Sequence, residues 1–144
     1  MSFDIIFEAS AEAARVATAD DLRRILRPHL GEDDGNSLIL DDGSSITYGG
    51  HRAFEGSKTL IWNRPGIDFA WDVTFELLRD FDYFLVWPNC QSALVARPDV
   101  RLSSDYSDLA RVAVGSPKEI VEFMQNEEEL LMRELRANGY ESPQ

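Results

Sequence analysis

The sequence predicts an α+β fold: a mostly antiparallel sheet of five to seven strands packed by two or three helices, with a long C-terminal helix. Three observations lead there. Short β-rich runs bounded by turn residues recur along the chain. One of them, residues 83–87 (Tyr-Phe-Leu-Val-Trp), is apolar throughout, the pattern of a strand buried on both faces. The last stretch opens on Ser116-Pro117-Lys118-Glu119, a capping box with proline at the first helical position.

The elements follow in order. Residues 3–7 are apolar and β-rich and read as a first strand. Thr18 suits a helix N-cap, with Asp21 three residues on. Leu22, Ile25, Leu26 and Leu30 then share one helical face, with Gly31 as a stop. Pro28 marks where that helix stops or kinks. Residues 32–36 read as a turn. Residues 37–41 and 45–48 form a hairpin about Asp42-Gly43. Residues 49–58 are glycine-rich and irregular, and 59–63 are a strand halted by Pro65-Gly66.

Asp68 is placed to cap a helix over 69–80. Phe69, Val73, Leu77 and Phe81 supply its buried stripe. After the apolar run, Pro88-Asn89 turns the chain and 92–96 pairs back. Residues 98–108 form a loop with a helical turn, and 111–114 a last short strand. The final helix runs to about Asn138, with Gly139 as its stop. Ile120, Phe123, Met124, Leu131 and Leu135 build its buried face, and Glu129 and Arg133 pair on the exposed side. No repeat or long linker divides the chain, so residues 1–144 read as one domain.

Composition bounds the function. The 144 residues carry 26 acidic and 14 basic side chains, a formal net charge of -12. The balance is -6 over residues 1–50, -2 over 51–100 and -4 over 101–144, so the acidity sits toward the two ends of the chain. Direct nucleic-acid binding is disfavoured, because phosphate neutralisation needs a basic stripe. No apolar run approaches the roughly 20 residues that span a bilayer, and the first residues lack the order of a secretory signal. The single cysteine, Cys90, excludes an intrachain disulfide. A reducing cytoplasm is the expected location. Arginine outnumbers lysine by 12 to 2, which fits a GC-rich bacterial genome and carries no mechanism.

The chemical motifs are weak. His29 and His51 fall on different elements, and a shared metal or catalytic site needs them convergent. Cys90 follows a turn, without the histidine or helix N-terminus that would activate a thiol. The loop from Gly50 to Thr59 fails as a phosphate loop: five residues separate its glycines, Ser57 precedes Lys58, and a strand follows where a helix must start. Glu32, Asp33, Asp34, Asp41 and Asp42 lack calcium-loop spacing. Glu127-Glu128-Glu129 read as a solvated helix face, and Trp62, Trp71 and Trp87 as core. No cofactor, metal or catalytic residue is therefore expected.

In overall profile the chain resembles bacterial toxin-immunity proteins: small, acidic, α+β and cytoplasmic. The resemblance implies a non-enzymatic binding protein that neutralises a basic protein partner, such as a toxin or nuclease with a positive cleft. Acidic surface speeds encounter with such a partner and sets specificity. The expected contacts are Glu32, Asp33, Asp34, Asp41 and Asp42, pairing with partner arginines or lysines, and Tyr48 as a packed contact. Two other readings compete. One is an assembly subunit acting through the C-terminal helix, which exposed Leu130 or Met132 would favour. The other is a small enzyme using the 49–58 loop, with His51 as base and Arg52 as anion clamp.

Overall fold

The computed structural model describes residues 4–48, 58–66 and 69–137, with side chains throughout except at 130–132 and 134–136. Its strands are β1 (Ile5–Ala9), β2 (Leu30–Asp33), β3 (Ser37–Leu40), β4 (Ser45–Thr47), β5 (Thr59–Asn63), β6 (Tyr83–Val86), β7 (Ser92–Val95) and β8 (Ala110–Ala113). Its helices are α1 (Ala19–Leu26), α2 (Ala70–Asp80) and α3 (Pro117–Ala137). The strands form one sheet in the order β2-β3-β4-β5-β1-β6-β7-β8. All neighbours are antiparallel except β7 and β8.

This is the expected α+β architecture, with one strand more than the upper expectation. The additional strand is β2. Gly31 was expected to stop a helix and 32–36 to form a turn. Instead α1 ends at Leu26, a 3-10 turn spans Arg27–His29 around Pro28, and the chain enters β2 at Leu30. Proline cannot donate to the helical ladder, so the helix stops there. The register of β2 against β3 slips between Leu30 and Glu32, a bulge at Gly31.

Local chemistry fixes the rest. Thr18 caps α1: its hydroxyl accepts from the Asp21 N–H at 3.1 Å, and the Asp21 carboxylate accepts from the Thr18 N–H at 3.0 Å. Leu22 and Leu26 on the same helix are fully buried. The β3–β4 hairpin turns through Gly43 at φ 88°, a conformation that glycine adopts without strain. Strands β5 and β6 both run antiparallel to β1 and so parallel to each other. Parallel strands need a crossover, and α2 supplies it. At α3, the Ser116 hydroxyl accepts from the Glu119 N–H at 3.2 Å. The Glu119 carboxylate reaches back to the Gly115 N–H, one residue before the expected partner.

The sheet has two unlike faces. The helices cover one. Ile5, Phe7, Leu38, Ile46, Leu60, Trp62 and Leu85 point into that core and meet Leu22, Leu77, Ile120 and Met124. Polar atoms inside it are paired. Trp62 Nε1 donates to Ser44 Oγ at 2.9 Å, and the Tyr83 hydroxyl accepts from the Ala17 N–H at 2.8 Å. On the opposite face the described residues form a second core at the β6–β8 end, against which Ile6 of β1 also packs. There Phe84, Val86, Ala93 and Val95 are covered by Val100, Leu102, Tyr106 and Leu109 of the β7–β8 connection.

Candidate functional site

The six residues expected to contact a partner lie on β2, at the ends of β3 and just beyond β4, and alternation along the strands divides them. Glu32 pairs in register with Ile39, and Asp33 with Leu38. Leu38 is buried in the helix-side core, so Asp33 faces the helices and Glu32 the opposite side. Asp33 accepts from Arg23 Nε at 2.6 Å, from the Tyr48 hydroxyl at 2.7 Å and from the Gly35 N–H at 3.0 Å. Burial pushes this carboxyl up, but the hydrogen bonds from Tyr48, Gly35 and Arg23 outweigh it and hold it below the usual range. Tyr48 is buried, and that burial together with Asp33 pushes its phenol up.

The other acids sit at the turns. Asp34 Oδ1 accepts from the Asn36 and Ser37 N–H groups at 2.9 and 2.8 Å, which shapes the β2–β3 turn. At the far end of β3, Asp42 Oδ1 takes the Ser44 N–H at 2.9 Å and its hydroxyl at 2.5 Å. Asp41 is exposed beside it. The structure thus brings Asp33 and Tyr48 together, and Asp41 beside Asp42. It leaves the two groups at opposite ends of β3. Asp33, Asp34, Asp42 and Tyr48 are all engaged in hydrogen bonds within the fold. Glu32, Asp34 and Asp41 are exposed, and among the described residues none is in an ion pair.

One feature was missed in the sequence: the face on which Glu32 lies. Register continues its row through Ile39, Ser45 and Asn63. The next row is Ser37, Thr47, Ile61 and Ile6. Ile39, 36% exposed, is the one large hydrophobic exposed among the described residues. Neither Ile39 nor Ile61 belongs to a buried cluster. The signal was available, since Ser-Leu-Ile-Leu and Thr-Leu-Ile-Trp-Asn each place an isoleucine between two residues of the helix-side core.

Other polar clusters are structural in character. Asp82 accepts from the Ala14 and Arg15 N–H groups at 2.9 and 2.8 Å and from Arg97. Burial pushes its carboxyl up, and these donors hold it below the usual range. A cleft of about 390 Å³ beside it is lined by Ser10, Glu12, Pro98, Asp99 and Arg101 among others. A carboxylate so saturated stitches segments together rather than moving protons. Glu8 lies beside Phe84 on the face of the second core, accepts hydrogen bonds from the Thr59 hydroxyl at 3.1 Å and from Tyr106, and is pushed up by burial.

Burial likewise pushes the Cys90 thiol up, away from the reactive thiolate. His29 stacks on Phe69 with ring centroids 3.6 Å apart. Among the described residues no group of three His, Cys, Asp or Glu converges as metal ligands, and no helix is long and apolar enough to cross a membrane. His51, Arg52 and the 49–57 loop lie outside the described residues, as do Asp68 and the side chains of Leu130, Met132, Leu131 and Leu135.

No protein-family model matches the chain, and no curated protein or solved structure matches it.

Proposed function

We propose that the protein is a non-enzymatic, cytoplasmic binding protein that neutralises a basic protein partner. A bacterial toxin or nuclease with a positive cleft is the partner class that the acidic profile suits best. The observation that carries the reading is the state of the acidic residues at one edge of the sheet. Asp33 is neutralised internally by Arg23, whereas Glu32, Asp34 and Asp41 are exposed and, among the described residues, in no ion pair. With a net charge of -12, those carboxylates lie in a field that draws cations. Among the described residues β2 is also the edge strand of the sheet, and a bulge and acidic side chains are features that discourage edge-to-edge pairing. The role of Tyr48 and Asp33 in this reading is to hold the edge in place, since their polar atoms face each other and Arg23.

The test is capture of a partner from lysate of the source organism, at low and at high salt, with the captured protein then purified and titrated. The expected result is one stoichiometric basic protein whose affinity falls with salt. Reversal of Glu32, Asp34 and Asp41 to lysine together weakens it at least a hundredfold, because each desolvated charge contact contributes on the order of 1 kcal/mol or more. Reversal of Glu122 and Glu128 on α3, as a control of equal charge type, changes it little. No basic partner at either salt, or equal losses in the two variants, would overturn the proposal.

A further inference from the structure

We propose that β8 is a dimer seam: its outer edge pairs antiparallel with β8 of a second copy of this chain, about a two-fold axis at Val112. The inference is independent of the binding role above and starts from a contrast between the two edges of the sheet. Strand β2 carries a bulge at Gly31 and two acids, Glu32 and Asp33, and both features discourage one edge from joining another. Strand β8 has neither. Its residues, Ala110-Arg111-Val112-Ala113, keep an unbroken register with β7 and include no proline and no acid. Its one charged side chain, Arg111, is folded back over the connection from β7. There Nε donates to the Val100 carbonyl at 2.8 Å, and Nη2 donates to the Pro98 and Arg97 carbonyls at 2.5 and 3.3 Å. Ala110, Arg111 and Ala113 are exposed, and no described strand lies beyond β8.

The direction of each backbone group selects the occupant. The Ala110 N–H donates to the Gln91 carbonyl at 3.1 Å and the Val114 N–H to the Val95 carbonyl at 2.8 Å. Residues 110, 112 and 114 therefore bond toward β7, and alternation turns the N–H and C=O of Arg111 and Ala113 outward. Donors and acceptors in that order are the complement of a strand, and a second β8 supplies the same set in reverse. Pairing centred on Val112 sets Arg111 against Ala113 of the second copy and Ala113 against its Arg111, so every outward group on both edges is satisfied. The short alanine leaves room for the arginine opposite it, and no two like charges stand directly opposite each other. Val112 faces its own counterpart. It is already half-buried against the helix-side core, so the pairing extends that core across the seam. Such a contact is isologous and closes on itself. The guarded β2 edge then limits assembly to two copies, whereas two open edges would run on into a fibre. Each copy carries a net charge of -12, so approach is opposed at long range, and β8 itself adds no carboxylate to that repulsion. Salt screens the repulsion and tightens the pairing, the reverse of the salt dependence expected for a basic partner.

Light scattering of the full chain over a range of protein concentrations, at low and at high salt, measures the assembly. The expected result is a mass that rises from one chain toward two and no further, at lower concentration in high salt. Ala113→Pro blocks the seam without removing a bond of the fold, because the N–H it deletes faces outward; association weakens at least tenfold. A cysteine pair tests the register should that variant fail to fold. In a Cys90→Ser chain, Val112→Cys oxidises to a cross-linked dimer, because non-hydrogen-bonded antiparallel pairs hold their Cα atoms about 4.5 Å apart, within disulfide reach. Ala110→Cys in the same chain does not, because pairing about Val112 leaves it roughly 13 Å along the strand from its counterpart. A single-chain mass at every concentration and both salts, masses beyond two chains, or equal cross-linking of the two cysteine variants would overturn the proposal. So would a dimer that Ala113→Pro leaves intact, since another surface would then hold it.

Discussion

Strands β6 and β7 are buried at every position, whereas β3 and β4 are fully buried only at alternate ones. The same sheet therefore contains two kinds of strand. At the β6–β8 end, helices press on one side and the 100–109 segment on the other. At the β2–β5 end only the helix side has a described core. The sequences differ accordingly: Tyr-Phe-Leu-Val is apolar throughout, and Ser-Leu-Ile-Leu and Ser-Ile-Thr mix polar and apolar positions. The lesson is that a continuous apolar run reports two-sided cover even in an antiparallel sheet, while one-sided cover leaves a surface free for another molecule.

The largest expected effect lies in the covered half. Phe84 is fully buried in the second core and meets the Tyr106 ring edge-on at a centroid distance of 5.3 Å. Phe84→Ala removes that packing and leaves a cavity between sheet and cover, for a cost of about 3–5 kcal/mol. Urea unfolding measures it. A cost below about 1 kcal/mol would mean that the 100–109 segment is only loosely applied, and the two halves would no longer differ.

Next come the two internal ion pairs, one in each half. Asp82 and Arg97 have side chains 15% and 28% exposed, and Asp33 and Arg23 have 22% and 41%. Both carboxyls are held below their usual range in the fold. Their contribution is therefore present above the unfolded carboxyl pKa of about 3.9 and is lost as pH falls through the lower folded value. Asp82→Asn leaves donors from Ala14, Arg15 and Arg97 poorly satisfied, at a cost of about 1–3 kcal/mol at neutral pH. Asp33→Asn costs less, about 1 kcal/mol, since Arg23 is more exposed and keeps Asp20 at 2.9 Å. Unfolding followed from pH 7 down to pH 2 should show each variant converging on the parent protein at the acid end. A constant offset at all pH values would show that packing, and not charge, is responsible.

Trp62→Phe tests the one-sided core of the open half. The ring is fully buried, and its Nε1 donates to Ser44, whose hydroxyl in turn donates to Asp42. Phenylalanine keeps most of the apolar contact and removes the donor, so the expected cost is about 1–2 kcal/mol. This chain links the helix-side core to the hairpin tip that bears Asp41. The substitution should thus speed amide exchange at residues 41–44 more than in β6, and unchanged exchange at the tip would break the link.

Much of this was legible in sequence. The capping box at Thr18 and Asp21, the hairpin at Gly43 and the limits of β5 follow from local chemistry, and the structure has all three. The Glu129–Arg133 pair, at 2.8 Å, is likewise a matter of helical spacing. β2 was not legible, because its Leu-Gly-Glu-Asp has little β character and depends on pairing with β3. The division of the acidic residues was hidden for a related reason. Whether Asp33 meets Arg23 depends on strand register and on where α1 lies, and neither is written in local sequence.

The smallest effect falls beside Glu32, one of the exposed acids at the sheet edge. Ile39 is 36% exposed and stands outside both cores. Ile39→Ala loses strand preference and the covered part of the side chain, so its stability cost should stay near about 0.5–1 kcal/mol, the order of a strand-preference change. The β3–β4 pairing persists, because it rests on backbone bonds and on buried Leu38 and Ile46. A cost above about 1.5 kcal/mol would show that Ile39 is covered in solution, and the open half would not be open. A small cost together with weakened partner binding would separate the two demands on this strand. Leu38 and Leu40 would then serve the fold, and the isoleucine between them would serve recognition.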